Sequence, residues 1–433
     1  MEVQSALALW VWGCNIFSGV YNSSLTPSHL PWNTYNYCNA PHVNAERYSR
    51  PTDPDAHLVY LNSMMRHHKR TPDNLYPNER ELNPASGWDW ECGSQAYLDY
   101  VDGTAPVFPQ SSVPDGHPFA SAVWNGSCGA GQLTREGLED AVQHGKDFWS
   151  VYHSTLGFLD EVVEEDIYIR TSNEPRTHHV AGGFLYGTDP GTWAARWRLH
   201  TQPALIDSLV PSYSCPVANA IRSAYQLAPE WTEHLLRNQD LQTRLGETLG
   251  VKGLQAWMSW YDHFFDTLTS RTCHGHPLPC NASGACVLEE DAMRVFALGD
   301  WEYNYIWNAA ENASEYTRLT FGVMFKELAD NLKRFQAGKE TYKLRLYIGH
   351  DGSMIRLASG LGLGANTPLR WPAMGSEVHI EVWRDVSGFD FVRVMHDGIP
   401  VQSLDWIPFS RFVELLEEQV PADIYGSCMY GGI

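Results

Sequence analysis

The chain has 433 residues, 43% of them hydrophobic and 12% aromatic, which supports a substantial core and excludes a disordered chain. Its 51 acidic residues against 30 lysines and arginines give a formal charge of −21, and that field repels nucleic acid and anionic membrane as partners. A small anion is not excluded, because a local arginine cluster can dominate its own pocket.

Residues 1–19 read as a signal peptide: Ala6 to Phe17 has the length of its apolar core, and Ser18 and Gly19 form a cleavage zone. Met1-Glu2 departs from that pattern by lacking a basic residue. Nine cysteines are present, and setting Cys14 aside with this segment leaves an even eight, as a disulfide-bonded secreted chain requires. Asn-X-Ser sequons stand at Asn22, Asn125, Asn281 and Asn312, so a secreted, extracellular glycoprotein is expected. No later apolar run is long enough to span a bilayer.

His57 to Met65 is an apolar run that reads as a buried strand, and it ends in Arg66-His67-His68-Lys69-Arg70-Thr71-Pro72. Two arginines four apart around a histidine at a strand end make an anion trap with a nucleophile inside it. Pro72 suits the first turn of a helix. The stretch from Pro72 to Gly131, rich in Pro, Gly, Asn, Asp and Ser, reads as long loops of the kind that shape a pocket.

Leu133 to Tyr152 reads as a helix with Leu138, Val142, Gly145, Trp149 and Tyr152 along one face. Asp166 to Ile169 is a short strand, followed by Arg170 and then Arg176-Thr177. Residues 188–334 are mostly helical, most strongly over 217–250, 254–271 and 316–335. Within them Cys273-His274-Gly275-His276, Cys280 and Cys286 superficially suggest zinc, but a sequon in their midst and an oxidising compartment favour disulfides.

Lys343 to Gly349 is a further strand, ending in His350-Asp351-Gly352. Val378, Ile380 and Val382 alternate with polar residues, Ser387-Gly388 turns the chain into Phe389 to Met395, and Phe409 to Glu418 is a closing helix. Three strands thus deliver Arg, His or Asp just past their carboxyl ends, where open α/β sheets bind ligands.

The RHxxRxP block from Arg66, Gly131-Gln132-Leu133-Thr134-Arg135-Glu136-Gly137, Arg176-Thr177 and Tyr347-Ile348-Gly349-His350-Asp351 together resemble the histidine acid phosphatases, branch 2 of the histidine phosphatase superfamily. The resemblance covers most of the chain. It implies an α/β fold, a central sheet flanked by helices, with core segments 20–187 and 335–433 and a mainly α-helical cap inserted over 188–334. It implies hydrolysis of a small phosphomonoester without metal or cofactor. His67 is then the nucleophile, Arg66, Arg70, Arg176 and His350 hold the phosphoryl oxygens, and Asp351 protonates the leaving group. Arg170 rivals Arg176 but is better read as a loop support through ion pairs, and His178-His179 as core or helix surface.

His68 departs from the pattern, since the family has glycine there. The expected consequence is an imidazole at the pocket mouth, touching substrate; the alternative is ordinary backbone angles with the ring turned outward. Three other readings remain open: an inositol-phosphate phosphatase, which 30 cations against 51 acids disfavour; a non-catalytic glycoprotein with the same fold; and a member repurposed to another substrate.

Overall fold

The computed structural model describes residues 19–77, 79, 90–92, 114, 116–120, 123–124, 126–160, 163–188 and 197–431, with the backbone alone at 96–100 and 103–107. The suspected leader, apart from Gly19, and the sequon at Asn125 lie outside them. The chain forms two units, one from 39–70, 133–228 and 303–433, the other from the first 38 residues with 71–132 and 229–302.

The first unit carries the sheet. Its elements in chain order are β1 His57–Arg66, α1 Arg135–Trp149, β2 Ile167–Thr171, α2 Pro175–Thr188, β3 Leu199–His200, α3 Pro216–Leu227 and α4 Ala313–Gln336. Then come β4 Leu344–Gly349, α5 Asp351–Gly360, β5 Glu377–Arg384, β6 Asp390–His396, β7 Ile399–Pro400, β8 Ile407–Pro408, α6 Phe409–Glu418 and α7 Ile424–Tyr430. The eight strands are ordered β8-β6-β5-β1-β4-β2-β3, with β7 on β6. β1, β4, β2 and β3 run parallel, whereas β5 pairs antiparallel with β1 and opens an antiparallel half. The sheet is therefore mixed, with helices flanking it as the sequence suggests.

The register decides where function sits. Arg66 lies opposite Gly349, and Thr171 opposite Ile348, so β1, β4 and β2 end level with one another. Apolar residues cover both faces, which is why β1 reads as a run rather than an alternation. Leu61 and Met65 face a core shared with Phe148 of α1 and Phe184 of α2. Tyr60 and Met64 face another, shared with Phe325 of α4 and Phe412 of α6.

Two sequence expectations change here. The turn after β1 does not enter a helix at Pro72; the chain continues without regular structure to Pro77. The helix expected to end at Tyr152 leaves α-helical geometry at Ser150 and widens into a π turn over Ser150–Thr155.

In the second unit the helices are Pro229–Arg237, Gln239–Thr248, Gln255–Met258, Asp262–Cys273 and most of Glu289–Asn304. The long pattern over 217–250 is thus three helices: Pro216 opens the first, Pro229 opens the second and Asn238 precedes the third. The loop region before Gly131 also contains a two-stranded ribbon, Ala96–Tyr100 against Gly103–Val107. Disulfides join Cys38 to Cys273, Cys92 to Cys128 and Cys280 to Cys286 here, and Cys215 to Cys428 in the sheet unit. The cysteines around His274 and His276 are therefore in disulfides, and no metal-holding cluster occurs among the described residues. Nor, among them, is any helix long and apolar enough to cross a membrane.

Candidate active site

The site is built where β1, β4 and β2 end. His67 follows β1 and is 1% exposed. Its backbone is pinned on both sides: its N–H donates to the Gly349 carbonyl at 3.1 Å, and its carbonyl accepts from the Gly375 N–H at 3.1 Å. The imidazole Nδ1 lies 2.9 Å from the His68 carbonyl, an acceptor only, so Nδ1 carries the proton and Nε2 keeps its lone pair. Burial, then the charges of Arg176, Arg66 and Arg70, lower the His67 pKa well below the ordinary histidine value. The ring is a neutral base among cations.

Arg66 is fully buried. One terminal nitrogen bonds the Pro372 carbonyl, and the other lies 3.0 Å from Asp351 Oδ2. Arg70 reaches the site from a bridge to Leu133, beside the start of α1. That junction explains the 131–137 motif: Thr134 N donates to the Lys69 carbonyl at 3.2 Å, and Thr134 Oγ1 caps α1 by accepting from Gly137 N at 3.1 Å. Gly137 leaves room for the loop, since a Cβ there would lie 2.0 Å from the Lys69 carbonyl oxygen.

Arg176 sits in the first turn of α2, where Pro175 sets the entry angle. A guanidinium nitrogen lies 3.5 Å from His350 Nδ1. His350 caps α5, and its Nε2 pairs with Ser172 Oγ at 2.8 Å. Burial, then Arg176, take its pKa down to about 3, so this imidazole is neutral too. The His67 and His350 rings are 5.3 Å apart. Two helix N-termini, of α2 and α5, thus meet the arginines, an arrangement that favours an anion.

Asp351 opens α5. Oδ2 accepts from the Trp371 indole N–H at 2.8 Å as well as facing Arg66, and Oδ1 accepts from Gly352 N at 2.7 Å. Burial alone would raise its pKa, but Arg66 and the Trp371 bond outweigh that and bring it down to about 2.

His67, Arg66, Arg70, Arg176, His350 and Asp351 are thus gathered at one place. His68 is the correction. It is wholly buried with an ordinary negative φ, and its ring points neither to a pocket mouth nor outward, but back into the protein, 3.2 Å from His144 Nδ1. Its neighbours are His144, His42, Lys69 and Glu377 rather than the arginines around His67.

Arg170 is engaged by Glu327 at 2.5 Å, Ser208 at 2.6 Å and Asp207 at 3.5 Å, the support role expected of it. His178 Nε2 lies 3.0 Å from the Ser172 carbonyl. Sequence reasoning passed over Ser172 and Trp371. Ser172 had a signal, standing one residue past β2; Trp371 had none, as one of 17 tryptophans. Among the sequons, Asn22 and Asn312 are exposed and Asn281 is half-buried.

The profile of the histidine phosphatase superfamily (branch 2) matches residues 57–397, from the first residue of β1 to just beyond β6. The chain belongs to that family. Branch 2 membership makes it a histidine-phosphatase-type phosphomonoester hydrolase. Counting factor 60 of Dictyostelium discoideum is 27% identical over 380 residues, 84% of each chain. Human testicular acid phosphatase is 32% identical over 290 residues, 62% of this chain and 64% of the relative. In fold, the chain is similar to the apo phytase of Hafnia alvei, with a TM-score of 0.56 and 14% identity, over 86% of this chain and 98% of that one.

Proposed function

We propose that the chain is a secreted acid phosphatase that cleaves small phosphate monoesters through a phosphohistidine on His67. One observation carries this reading: His67 Nδ1–H is committed to the His68 carbonyl, leaving the Nε2 lone pair of a neutral imidazole among Arg66, Arg70 and Arg176. In this mechanism Nε2 attacks phosphorus, the P–N bond forms as the ester P–O bond breaks, and the proton reaches the leaving oxygen from Asp351. Water then attacks phosphorus and gives a proton to Asp351, the P–N bond breaks with its electron pair returning to Nε2, and phosphate leaves. The arginines and neutral His350 hold the non-bridging oxygens through both transfers.

Against burial, Arg66 and the Trp371 bond bring the Asp351 pKa down to about 2, too low to hold a proton at mildly acid pH. Substrate changes that balance. A phosphate monoester among the arginines adds negative charge beside the carboxylate and raises its affinity for a proton. Below pH ~6 the monoester arrives with a proton of its own, as phosphate esters lose their second near that pH. Acid conditions thus supply the proton the leaving group needs, which supports the acid-phosphatase reading. The four disulfides, the exposed sequons and the apolar start of the chain support secretion, with residues 1–19 as the leader.

The test is trapping. Wild-type enzyme given a labelled phosphate monoester and quenched in alkali should retain acid-labile phosphate on His67. His67→Ala should retain none and lose at least about 10³-fold in kcat. Turnover by the alanine variant at the wild-type rate would end the proposal.

A further inference from the structure

Behind the nucleophile lies a buried row of hydrogen bonds. Glu377, on β5, is 0% exposed and lies 2.7 Å from His144 Nε2 through Oε2. A carboxylate can only accept, so the His144 proton is on Nε2 and its Nδ1 is an acceptor. His68 Nε2, 3.2 Å from that Nδ1, is then the donor. This leaves His68 Nδ1 as a lone pair, and it has no hydrogen-bond partner among the described residues. Every tautomer in the row follows from the carboxylate.

The far end of the row is the His68 main chain, whose carbonyl accepts the His67 Nδ1 proton. A second constraint comes from Gly375. Its N–H holds the His67 carbonyl, and its φ of +70° leaves its Cα bare against the His68 ring. A Cβ there would sit 2.5 Å from His68 Cε1. The ring of His68 is therefore held edge-on by Gly375 and end-on by His144, which anchors the Cα from which its carbonyl extends.

We propose that His68 is a positioning residue: by bonding His144, itself set by Glu377, it fixes the carbonyl that holds His67 in the tautomer and orientation needed for attack. This rests on the reading of His67 as nucleophile. A histidine in place of a flexible glycine becomes a brace rather than an obstruction. The side chains of the row face one another and not the arginines around His67, so the expected effect is on the chemical step and not on phosphate binding. A misplaced nucleophile can cost about 10²-fold when the displacement approaches 1 Å, and the loss here is set at about tenfold or more.

The test is a series at position 68 read by single-turnover phosphorylation of His67 and by inhibition with inorganic phosphate. His68→Leu, which cannot donate, should phosphorylate about tenfold or more slowly, with the phosphate inhibition constant within about twofold of wild type. His68→Gln, whose amide N–H can replace Nε2–H, should recover most of the rate. If the leucine variant does not fold, His144→Phe serves, since it fills the same space and cannot accept; it should show the same slow phosphorylation with unchanged phosphate affinity. Full-rate phosphorylation in either variant, equal losses in the leucine and glutamine variants, or phosphate affinity falling in step with rate would overturn the proposal. Absence of phosphohistidine in wild type would overturn the reading of His67 instead.

Discussion

Two groups of histidines stand on either side of one peptide bond and are governed by opposite charges. His67 and His350 lie among arginines, and both are neutral because cations and burial oppose a further positive charge. His144 and His379 share the carboxylate oxygen Oε2 of Glu377 at 2.7 Å, while His42 pairs with Asp147 and stacks on His144 with ring centroids 4.3 Å apart. The arginine group gathers positive charge at one point, which suits an incoming anion. The carboxylate group is already satisfied. Reactivity thus collects where charge is left unbalanced, and rigidity where it is balanced.

That contrast is broken most severely at Asp351, the one carboxylate among the site residues gathered beside the arginines. Asp351→Asn should slow alkyl phosphates by about 10²- to 10⁴-fold, since an alkoxide needs a proton to leave. p-Nitrophenyl phosphate, whose phenolate leaves unaided, should lose about tenfold at most. Equal losses on both substrates would make Asp351 a structural residue.

Glu377 is the matching carboxylate on the other side, and its removal should act on stability instead. Glu377→Gln keeps the volume but discharges the acceptor of the His144, His379 and Val43 N–H contacts. The expected cost is about 3 kcal/mol, the upper range for hydrogen bonds to a buried charge. Burial would raise the Glu377 pKa, but His379 and His144 outweigh it and hold it well below the usual value. A lowered carboxylate pKa gives stability that is present above the unfolded value, near 4.3, and is lost as pH falls toward the folded one. Wild-type melting temperature should therefore fall more steeply below about pH 4 than that of the variant, and parallel curves would contradict this assignment.

The arginine side was legible in the sequence and the carboxylate side was not. Arg66-His67 and His350-Asp351 announce themselves because each follows an apolar run, and strand ends bring such residues together whatever lies between them. Arg176 came from the family resemblance, with Arg170 as its rival, and the structure puts it in the first turn of α2. His144, His379 and Glu377 sit at ordinary spacing in a helix and a strand that need no histidine, and only the pairing of β1 with β5 and the packing of α1 draw them to one point. The same blindness put His68 at the pocket mouth: local sequence shows the neighbours along the chain, and the partner that turned its ring inward is 76 residues away. The π turn at Ser150 had no periodic signature either, since Trp149 and Tyr152 fit a continuing helix.

A milder test separates the two kinds of pairing by pH. Burial would lower the His42 pKa, but the Asp147 bond and the Glu377 charge raise it above the ordinary value. Burial would raise that of Asp147, and the His42 bond lowers it. The histidine contributes stability below its unfolded pKa of about 6.5, lost as pH rises through its folded value, and the aspartate contributes above about 3.9, lost as pH falls. Their shared window is about pH 4 to 6.5. Asp147→Asn should cost about 1 kcal/mol in unfolding free energy at pH 5 and clearly less at pH 8. An equal cost at pH 5 and pH 8 would show that His42 is neutral throughout and would sink the assignment.

The smallest expected effect is at Trp371, and it probes how finely the arginine side is tuned. Its indole stacks on Tyr303 with centroids 3.7 Å apart while its N–H bonds Asp351 Oδ2. Trp371→Phe keeps an aromatic ring against Tyr303 and removes only the donor. A carboxylate that loses an N–H donor holds its proton more tightly, so the Asp351 pKa should rise, by less than about one unit for one bond among several. Asp351 must be protonated in the substrate complex to serve the leaving group, which means a higher pKa extends activity upward in pH. The basic limb of kcat for an alkyl phosphate should move up accordingly, with a change at the optimum of about threefold at most. The p-nitrophenyl phosphate profile should stay in place, because its leaving group does not draw on Asp351. A downward shift, or the same shift on both substrates, would mean that Trp371 acts on the pocket as a whole and not through the acid.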